Sequence, residues 1–461
     1  MTPEEFRRYG HQAIDWVAEF LTKVEGYPVL PKVAPGELTD SLPAHGPQKG
    51  EPMDAILADF EKQIVPACTH WNHPGFLAYF ANSATPEGIL GELLAAALNQ
   101  NSMVWKTSPA ATELEQVALH WLLEWSGLPG DWFGMIHDTA STSSMHAIAA
   151  AREAKDPEAR LKGATRGLTV YTSAQSHWSI EKGAISIGIG KENVRNVPVD
   201  EEFRMRADVL EELIERDLAA GLRPCCVAAT VGTTSTTSVD PVPAIADICA
   251  RYRLWLHIDA AYGGSAALAP EFRWAFEGCE RADSYVMNPH KWLQVPMDCS
   301  VFYTSRPDVL RRAFSMVPGY LEIPTATRAL NLTDYGVPLG RRFRALKLWF
   351  VMRSYGHEGL AAAVREHARL AQWFACQVEQ DGRFEIAAPV RFSVVNFRLK
   401  TGDEENRRLL DRVNQAGDVF LSSTVLNGKF TLHLAVGNYQ TSDRHVARAW
   451  ELVSRAAGEV S

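Results

Sequence analysis

Asp283-Ser284-Tyr285-Val286-Met287-Asn288-Pro289-His290-Lys291-Trp292 reads as a short strand over 284–287, stopped by a proline, that delivers a histidine and a lysine side by side. A lysine placed where a strand ends at the mouth of a cleft can be desolvated enough to form a Schiff base, which a surface lysine seldom does. Lys291 is therefore the candidate covalent centre. The plain alternative is a His-Lys dipeptide on a solvated loop, and the rest of the chain has to decide between them.

Working outward, β-rich runs at 168–172, 226–230, 255–259, 284–287 and 300–303 alternate with helical patterns at 112–125, 143–154, 207–219 and 242–251. Such alternation predicts an α/β fold with a mostly parallel sheet covered by helices. In these sheets ligands gather at the carboxyl ends of the strands. One such end is Asp259, followed by Ala260-Ala261-Tyr262-Gly263-Gly264, small residues expected to let a ligand approach the backbone. Asp138-Thr139-Ala140-Ser141-Thr142-Ser143-Ser144 offers hydroxyls at a predicted helix N-terminus, a natural phosphate cradle as well as a commonplace cap. Val231-Gly232-Thr233-Thr234 follows another strand end. A carboxylate that keeps a pyridine nitrogen protonated, an imine-forming lysine and a phosphate cradle are together what pyridoxal 5'-phosphate requires.

Composition sets the outer bounds. The 461 residues allow two or three domains of roughly 150 residues each. With 46% hydrophobic and 22% charged residues the chain is globular. A net charge of -9 argues against nucleic acid or an anionic membrane as partner. Seven cysteines without CxxC spacing suggest neither a disulfide framework nor a zinc site, and a reducing cytoplasm fits. His70 and His73 lack further ligands at metal spacing, so no metal is expected. The start lacks the apolar run of a signal peptide, and the apolar stretch 88–98 carries Glu92 and is too short to span a bilayer.

The N-terminal region reads as a helix capped by Thr2, Pro3 and Glu5, with Phe6, Ala13, Trp16, Val17, Phe20, Leu21 and Val24 on one face. A stretch with six prolines follows over 27–52, expected to be irregular. A helix and an arm have little core of their own, which points to packing on another subunit and a homodimer. The ring-rich stretch 69–82 could line a pocket for a flat ligand, or simply pack at a domain boundary. From about 359 the pattern is helix 360–379, strand 394–399, helix 404–416, strand 430–435 and helix 443–457, a small α+β unit.

Asp-Ala-Ala-Tyr-Gly-Gly at 259–264 and Asn-Pro-His-Lys-Trp at 288–292 resemble the cofactor signatures of the group II pyridoxal-phosphate decarboxylases, specifically the aromatic-L-amino-acid decarboxylases. The similarity extends from Glu5-Phe6-Arg7-Arg8 to Pro338-Leu339-Gly340-Arg341-Arg342-Phe343-Arg344. It implies the fold-type I architecture with a seven-stranded type of central sheet. The implied division is an N-terminal dimerisation domain at 1–84, a large cofactor domain at 85–358 and a small domain at 359–461. A dimer with shared active sites is implied as well.

Carried over by position, the resemblance makes Lys291 the imine-forming lysine and Asp259 the partner of the pyridine nitrogen. Ala261 and His177 take the two faces of the ring, with Thr234 beside it and Ala140, Ser141, Asn288 and His290 on the phosphate. Tyr320 corresponds to a proton donor on a loop, where phenylalanine accompanies conversion to an aldehyde. Trp71, Tyr79 and Phe80 match positions around the substrate ring, some from the neighbouring subunit. Asn82, Asn101 and Met103 depart from the animal members, and Gly340 matches a position where glycine admits indole-sized rings. Tryptophan, tyrosine, DOPA and phenylalanine all stay open, tryptophan first. The rivals are an aldehyde synthase, an aminotransferase and a non-catalytic binding protein of the same fold.

Overall fold

Local hydrogen bonding sets the first helix. Thr2 accepts from the Glu5 N–H and Glu5 accepts from the Thr2 N–H, so α1 (Pro3–Lys23) opens with a reciprocal capping box. Part of its aromatic stripe is covered within the chain: Trp16 stacks on Phe20 at 5.1 Å and meets Phe60 edge-on at 4.9 Å. Phe6 and Ile14 stay exposed. The proline-rich arm is not wholly irregular, because Gly36 at φ 94 starts a short helix, α2 (Glu37–Ser41). Three helices lead into the main body: α3 (Met53–Asp59), α4 (Pro86–Leu98) and α5 (Pro109–Ser126). This computed structural model describes residues 1–163, 167–316 and 329–460.

The central sheet holds β1 (Phe133–His137), β2 (Leu168–Ser173), β3 (Val194–Val197), β4 (Arg223–Thr230), β5 (Trp255–Asp259), β6 (Ser284–Met287) and β7 (Ser300–Thr304). Their order is β1-β7-β6-β5-β4-β2-β3, with β7 antiparallel to both neighbours and the other pairs parallel. Period-two alternation splits each central strand between two cores. Val227, Leu256, Ile258 and Met287 face the core that holds Leu119 of α5 and Ile245 of α10 (Val242–Tyr252). Cys226, Ala228 and Trp255 face α6 (Ala140–Lys155), through Ala147 and Ile148, and Ile180 of α8 (Ser179–Ser186). The short α7 (Ala159–Lys162) and α9 (Ala207–Ala219) complete the crossovers. Each large apolar side chain so buried is worth ~1.5–3 kcal/mol. β1 and β3 escape a reading for hydrophobic runs: β1 is interrupted by Gly134, and β3 carries Arg195 and Asn196 at the sheet edge.

After the one-turn α11 (Pro289–Trp292) and α12 (Pro307–Phe314), the long α13 (Arg344–Gln380) crosses the molecule, interrupted at Gly356. It packs on α4 so closely that a Cβ at Gly91 would lie 2.7 Å from the Lys347 Cα. The second sheet is antiparallel, in the order β10-β11-β9-β8, from β8 (Phe384–Ile386), β9 (Val394–Leu399), β10 (Ser422–Leu426) and β11 (Lys429–Ala435). With α14 (Asp403–Gln415) and α15 (Asp443–Val460) it encloses its own core around Phe374, Phe397, Leu432 and Leu452. Asn427 and Gly428, at φ 50 and 76, join β10 to β11 in a two-residue hairpin.

Candidate active site

β5 and β6 run parallel with Asp259 opposite Val286, so the residues that follow both strands emerge at the same sheet edge. β6 gives way to Asn288 at the N-cap of α11, and Pro289 takes the first helical position where no N–H is needed. That turn carries His290 and Lys291 into a cavity of about 330 Å³ also lined by Asp259, Ala261, His177, Thr234, Ala140 and Ser141. Asp259, whose Oδ1 accepts the Ala261 N–H at 3.1 Å, is buried.

The Lys291 Nζ lies 5.0 Å from the centroid of Phe80, whose ring stacks at 3.8 Å on Tyr262, itself stacked at 4.7 Å on Trp292. Burial against these rings pushes the Lys291 ammonium below the usual lysine range, with the Asp259 carboxylate pulling it back. A lysine displaced in that direction is a better nucleophile toward a carbonyl.

The two histidines of the cavity are held as neutral donors. His290 Nδ1 accepts the Cys299 N–H at 2.9 Å, which leaves its proton on Nε2, and burial pushes the ring down to about 3. His177 Nδ1 accepts the Ser179 N–H at 3.3 Å and sits 2.8 Å from the Ser179 hydroxyl. Burial lowers it too, the nearby Asp259 working against burial.

α6 starts at Ala140, three residues earlier than the hydrophobic pattern suggests, because β1 ends just before it. Thr139 at its cap makes no side-chain capping bond, and Thr139, Ala140 and Ser141 line the cavity, so the N-terminal end of this 16-residue helix, with its first N–H groups uncapped by a side chain, lies at the cavity wall. Among the described residues the buried Asn288 Oδ1 has no hydrogen-bond partner. An anion at the start of α6, a protonated ring nitrogen at Asp259 and a carbonyl at Lys291 together fit a phosphorylated pyridine aldehyde.

Several expectations need correction or completion. The glycines after Asp259 make room for the chain itself and not for a ligand: a Cβ at Gly263 would lie 2.4 Å from the Val231 carbonyl, and one at Gly264 2.6 Å from the Met287 Cβ. Tyr79, Phe80 and Asn82 line the cavity with Lys291, Asn82 lying 3.6 Å from the Met297 sulfur. Trp71 does not line it; its ring stacks on Phe76 at 4.2 Å. Asn101, Met103 and Gly340 form a separate group, in which Asn101 Nδ2 is 3.4 Å from the Met103 sulfur and Asn101 Oδ1 accepts the Arg341 N–H at 2.9 Å. Tyr320 lies outside the described residues.

Thr230, Ser179 and Tyr262 also line the cavity. Thr230 was legible as a strand end and Tyr262 as part of the run after Asp259. Nothing in the sequence pairs Thr230 with Asp240, whose buried carboxylate accepts the N–H groups of Thr230 at 2.8 Å and Met205 at 2.7 Å. His70 and His73 serve packing: His70 lies against Tyr27 at 4.7 Å, and His73 accepts the Gly75 N–H.

Over residues 35–400 the chain matches the pyridoxal-dependent decarboxylase conserved domain. It is 42% identical to an aromatic-L-amino-acid decarboxylase of Mus musculus, over 100% of this chain and 99% of the relative. It is 40% identical to a phenylacetaldehyde synthase of Arabidopsis thaliana, over 99% of this chain and 96% of the relative. A crystal structure of Oryza sativa TDC with PLP and tryptamine matches with a TM-score of 0.96 at 37% identity, covering 100% of this chain and 99% of that one.

Proposed function

The chain belongs to the pyridoxal-dependent decarboxylase family, and from that premise we propose that it converts an aromatic L-amino acid to the amine and CO2 with pyridoxal 5'-phosphate as cofactor. The observation that carries this reading is the meeting of Asp259 and Lys291, from the ends of adjacent strands, in one cavity that also opens onto the start of α6.

In this reading Ala140, Ser141, Asn288 and His290 hold the phosphate, His290 donating from Nε2. His177 and Ala261 take the two sides of the ring and Thr234 its edge. Bound there, the cofactor supplies an electron sink for the pair left when the substrate carboxylate departs as CO2. Asp259 holds the proton of the ring nitrogen that makes the sink effective. Lys291, lining the same cavity with its ammonium pushed below the usual range by burial, would hold the cofactor through its carbonyl carbon. His177, a neutral donor, orients the carboxylate across the ring, and Tyr320 returns a proton to the α-carbon. Phe80 and Tyr262 exclude water on the lysine side.

Trp71, Asn101, Met103 and Gly340 lie outside the Lys291 cavity of their own subunit, which fits a substrate pocket completed by a second copy. α4 presents Leu90, Leu93, Leu94 and Leu98 exposed at helical spacing, a face suited to a homodimer. Analytical ultracentrifugation tests the dimer, and a monomeric active enzyme refutes it. We read 1–84, 85–358 and 359–461 as the three domains. The cysteines are free, five of them buried, which suits a cytoplasmic setting. Among the described residues no helix is long and apolar enough to cross a membrane.

The Arabidopsis relative's name keeps aldehyde formation as the second reading. One experiment separates the two. Tryptophan, tyrosine, DOPA and phenylalanine are each supplied with cofactor, and amine, aldehyde, CO2 and hydrogen peroxide are quantified. Amine and CO2 in equal amounts without peroxide support decarboxylation; aldehyde with peroxide supports the alternative, and no CO2 refutes both.

A further inference from the structure

His257 is completely buried in the middle of β5, yet both of its ring nitrogens are engaged. Nδ1 lies 2.9 Å from the Ser284 hydroxyl, and Nε2 lies 3.1 Å from the Ser144 hydroxyl. Trp255 donates its indole N–H to the same Ser284 oxygen at 2.8 Å. Alternation along the strand places Trp255, His257 and Asp259 on one face, the face covered by α6.

Each partner stands on an element that carries part of the cofactor site. Ser284 is the cross-strand neighbour of His257 and opens β6, which leads to Asn288, His290 and Lys291. Ser144 lies one helical turn beyond Ala140 in α6. β5 itself ends two residues later at Asp259. Burial pushes the imidazole down to about 4 although Asp259 pulls the other way, so the link is uncharged at neutral pH and adds no charge of its own beside Asp259.

We propose that His257 is a positioning residue which ties β5, β6 and the N-terminal half of α6 into one frame, fixing the ring-nitrogen partner, the lysine and the phosphate cradle relative to one another. The proposal rests on the cofactor placement given above. A core histidine with no such task would fill the same space, and its loss would lower stability without favouring one part of the cofactor over another.

The two links can be cut separately. A glutamine at this position reaches as far as Nε2 and keeps the bond to Ser144, an asparagine reaches only as far as Nδ1 and keeps the bond to Ser284, and Ser144→Ala removes the α6 link while leaving the histidine in place. Full-length apoenzyme is titrated with pyridoxal 5'-phosphate and, separately, with pyridoxal, followed by visible absorbance. His257→Asn and Ser144→Ala should weaken pyridoxal 5'-phosphate about tenfold and pyridoxal less than about twofold, because only the phosphate senses a displaced α6. His257→Gln should restore most of the phosphate-dependent affinity.

Equal weakening of both ligands, or unchanged affinity in His257→Asn and Ser144→Ala, overturns the proposal. Should His257→Asn fail to fold, Ser144→Ala decides alone. A wild-type chain that binds neither ligand refutes the proposed cofactor site itself, and so is distinguishable from a failure of this inference.

Discussion

Arg341 Nη2 donates to Glu115 Oε1 at 2.7 Å, and both side chains are almost completely buried. The same guanidinium donates to the carbonyls of Ser102 at 3.1 Å and Ile136 at 2.8 Å, while Glu115 Oε1 also accepts the Ile136 N–H at 2.8 Å. One ion pair therefore joins α5, β1, the Asn101–Met103 segment and the chain around Gly340.

Breaking that pair on one side leaves a buried charge without its partner. Arg341→Met should lower stability by about 3–5 kcal/mol, and adding Glu115→Leu should recover much of the loss. Urea denaturation of the single and double variants at one protein concentration measures this. A double variant no more stable than Arg341→Met would show that the bonds to the carbonyls, and not the charge pair, hold the junction.

Lys291→Ala should abolish the visible absorbance that the wild type gains with pyridoxal 5'-phosphate, and with it CO2 release. Asp259→Asn should keep the cofactor bound but lower kcat by roughly 10²- to 10³-fold, the usual effect of removing one preorganised charge from the reacting centre. A near-normal kcat in Asp259→Asn would separate the carboxylate from the electron sink.

Tyr320→Phe should shift product from amine toward aldehyde, with hydrogen peroxide formed, if Tyr320 returns the proton to the α-carbon. Unchanged amine output would remove Tyr320 from the mechanism.

Gly340 has space beside it, since an added Cβ would meet only the Asn101 amide, at 4.0 Å. Gly340→Ser should therefore fold normally and report on specificity, lowering the kcat/KM ratio of tryptophan to tyrosine by about tenfold. An unaltered ratio would place Gly340 away from the substrate ring.

Mild acid should destabilise the fold through its buried histidines. Burial holds His257 and His367 down to about 4, against about 6.5 for an unfolded histidine. The unfolded chain therefore binds more protons between these values. The stability contributed by each histidine is fully present above about pH 6.5, falls as pH drops toward 4, and is of the order of 3 kcal/mol apiece. Asp240 works the other way, because burial raises it to about 7 and its protonated form is favoured in the fold. Urea midpoints from pH 7 to 4.5 should fall in the wild type and fall more steeply in Asp240→Asn, which removes the opposing group; a flat profile in Asp240→Asn would mean that the histidines are charged inside the fold.

The sequence alone determined what depends on near neighbours. The Thr2–Glu5 capping box, the alternation of β4, β5 and β6, and the delivery of Asp259 and Lys291 at strand ends follow from spacings of two to four residues. The Asn427-Gly428 hairpin was equally local, and its signal was present although the strand before it was not anticipated. Only the tertiary structure decided that Gly263 and Gly264 serve close chain packing, that Asn101, Met103 and Gly340 form a group apart from Lys291, and that His257 reaches Ser144, 113 residues away. Such contacts are set by which helix covers which face of a sheet, and no periodicity within either segment encodes the partner, because the energy that selects it arises only when both surfaces are buried together.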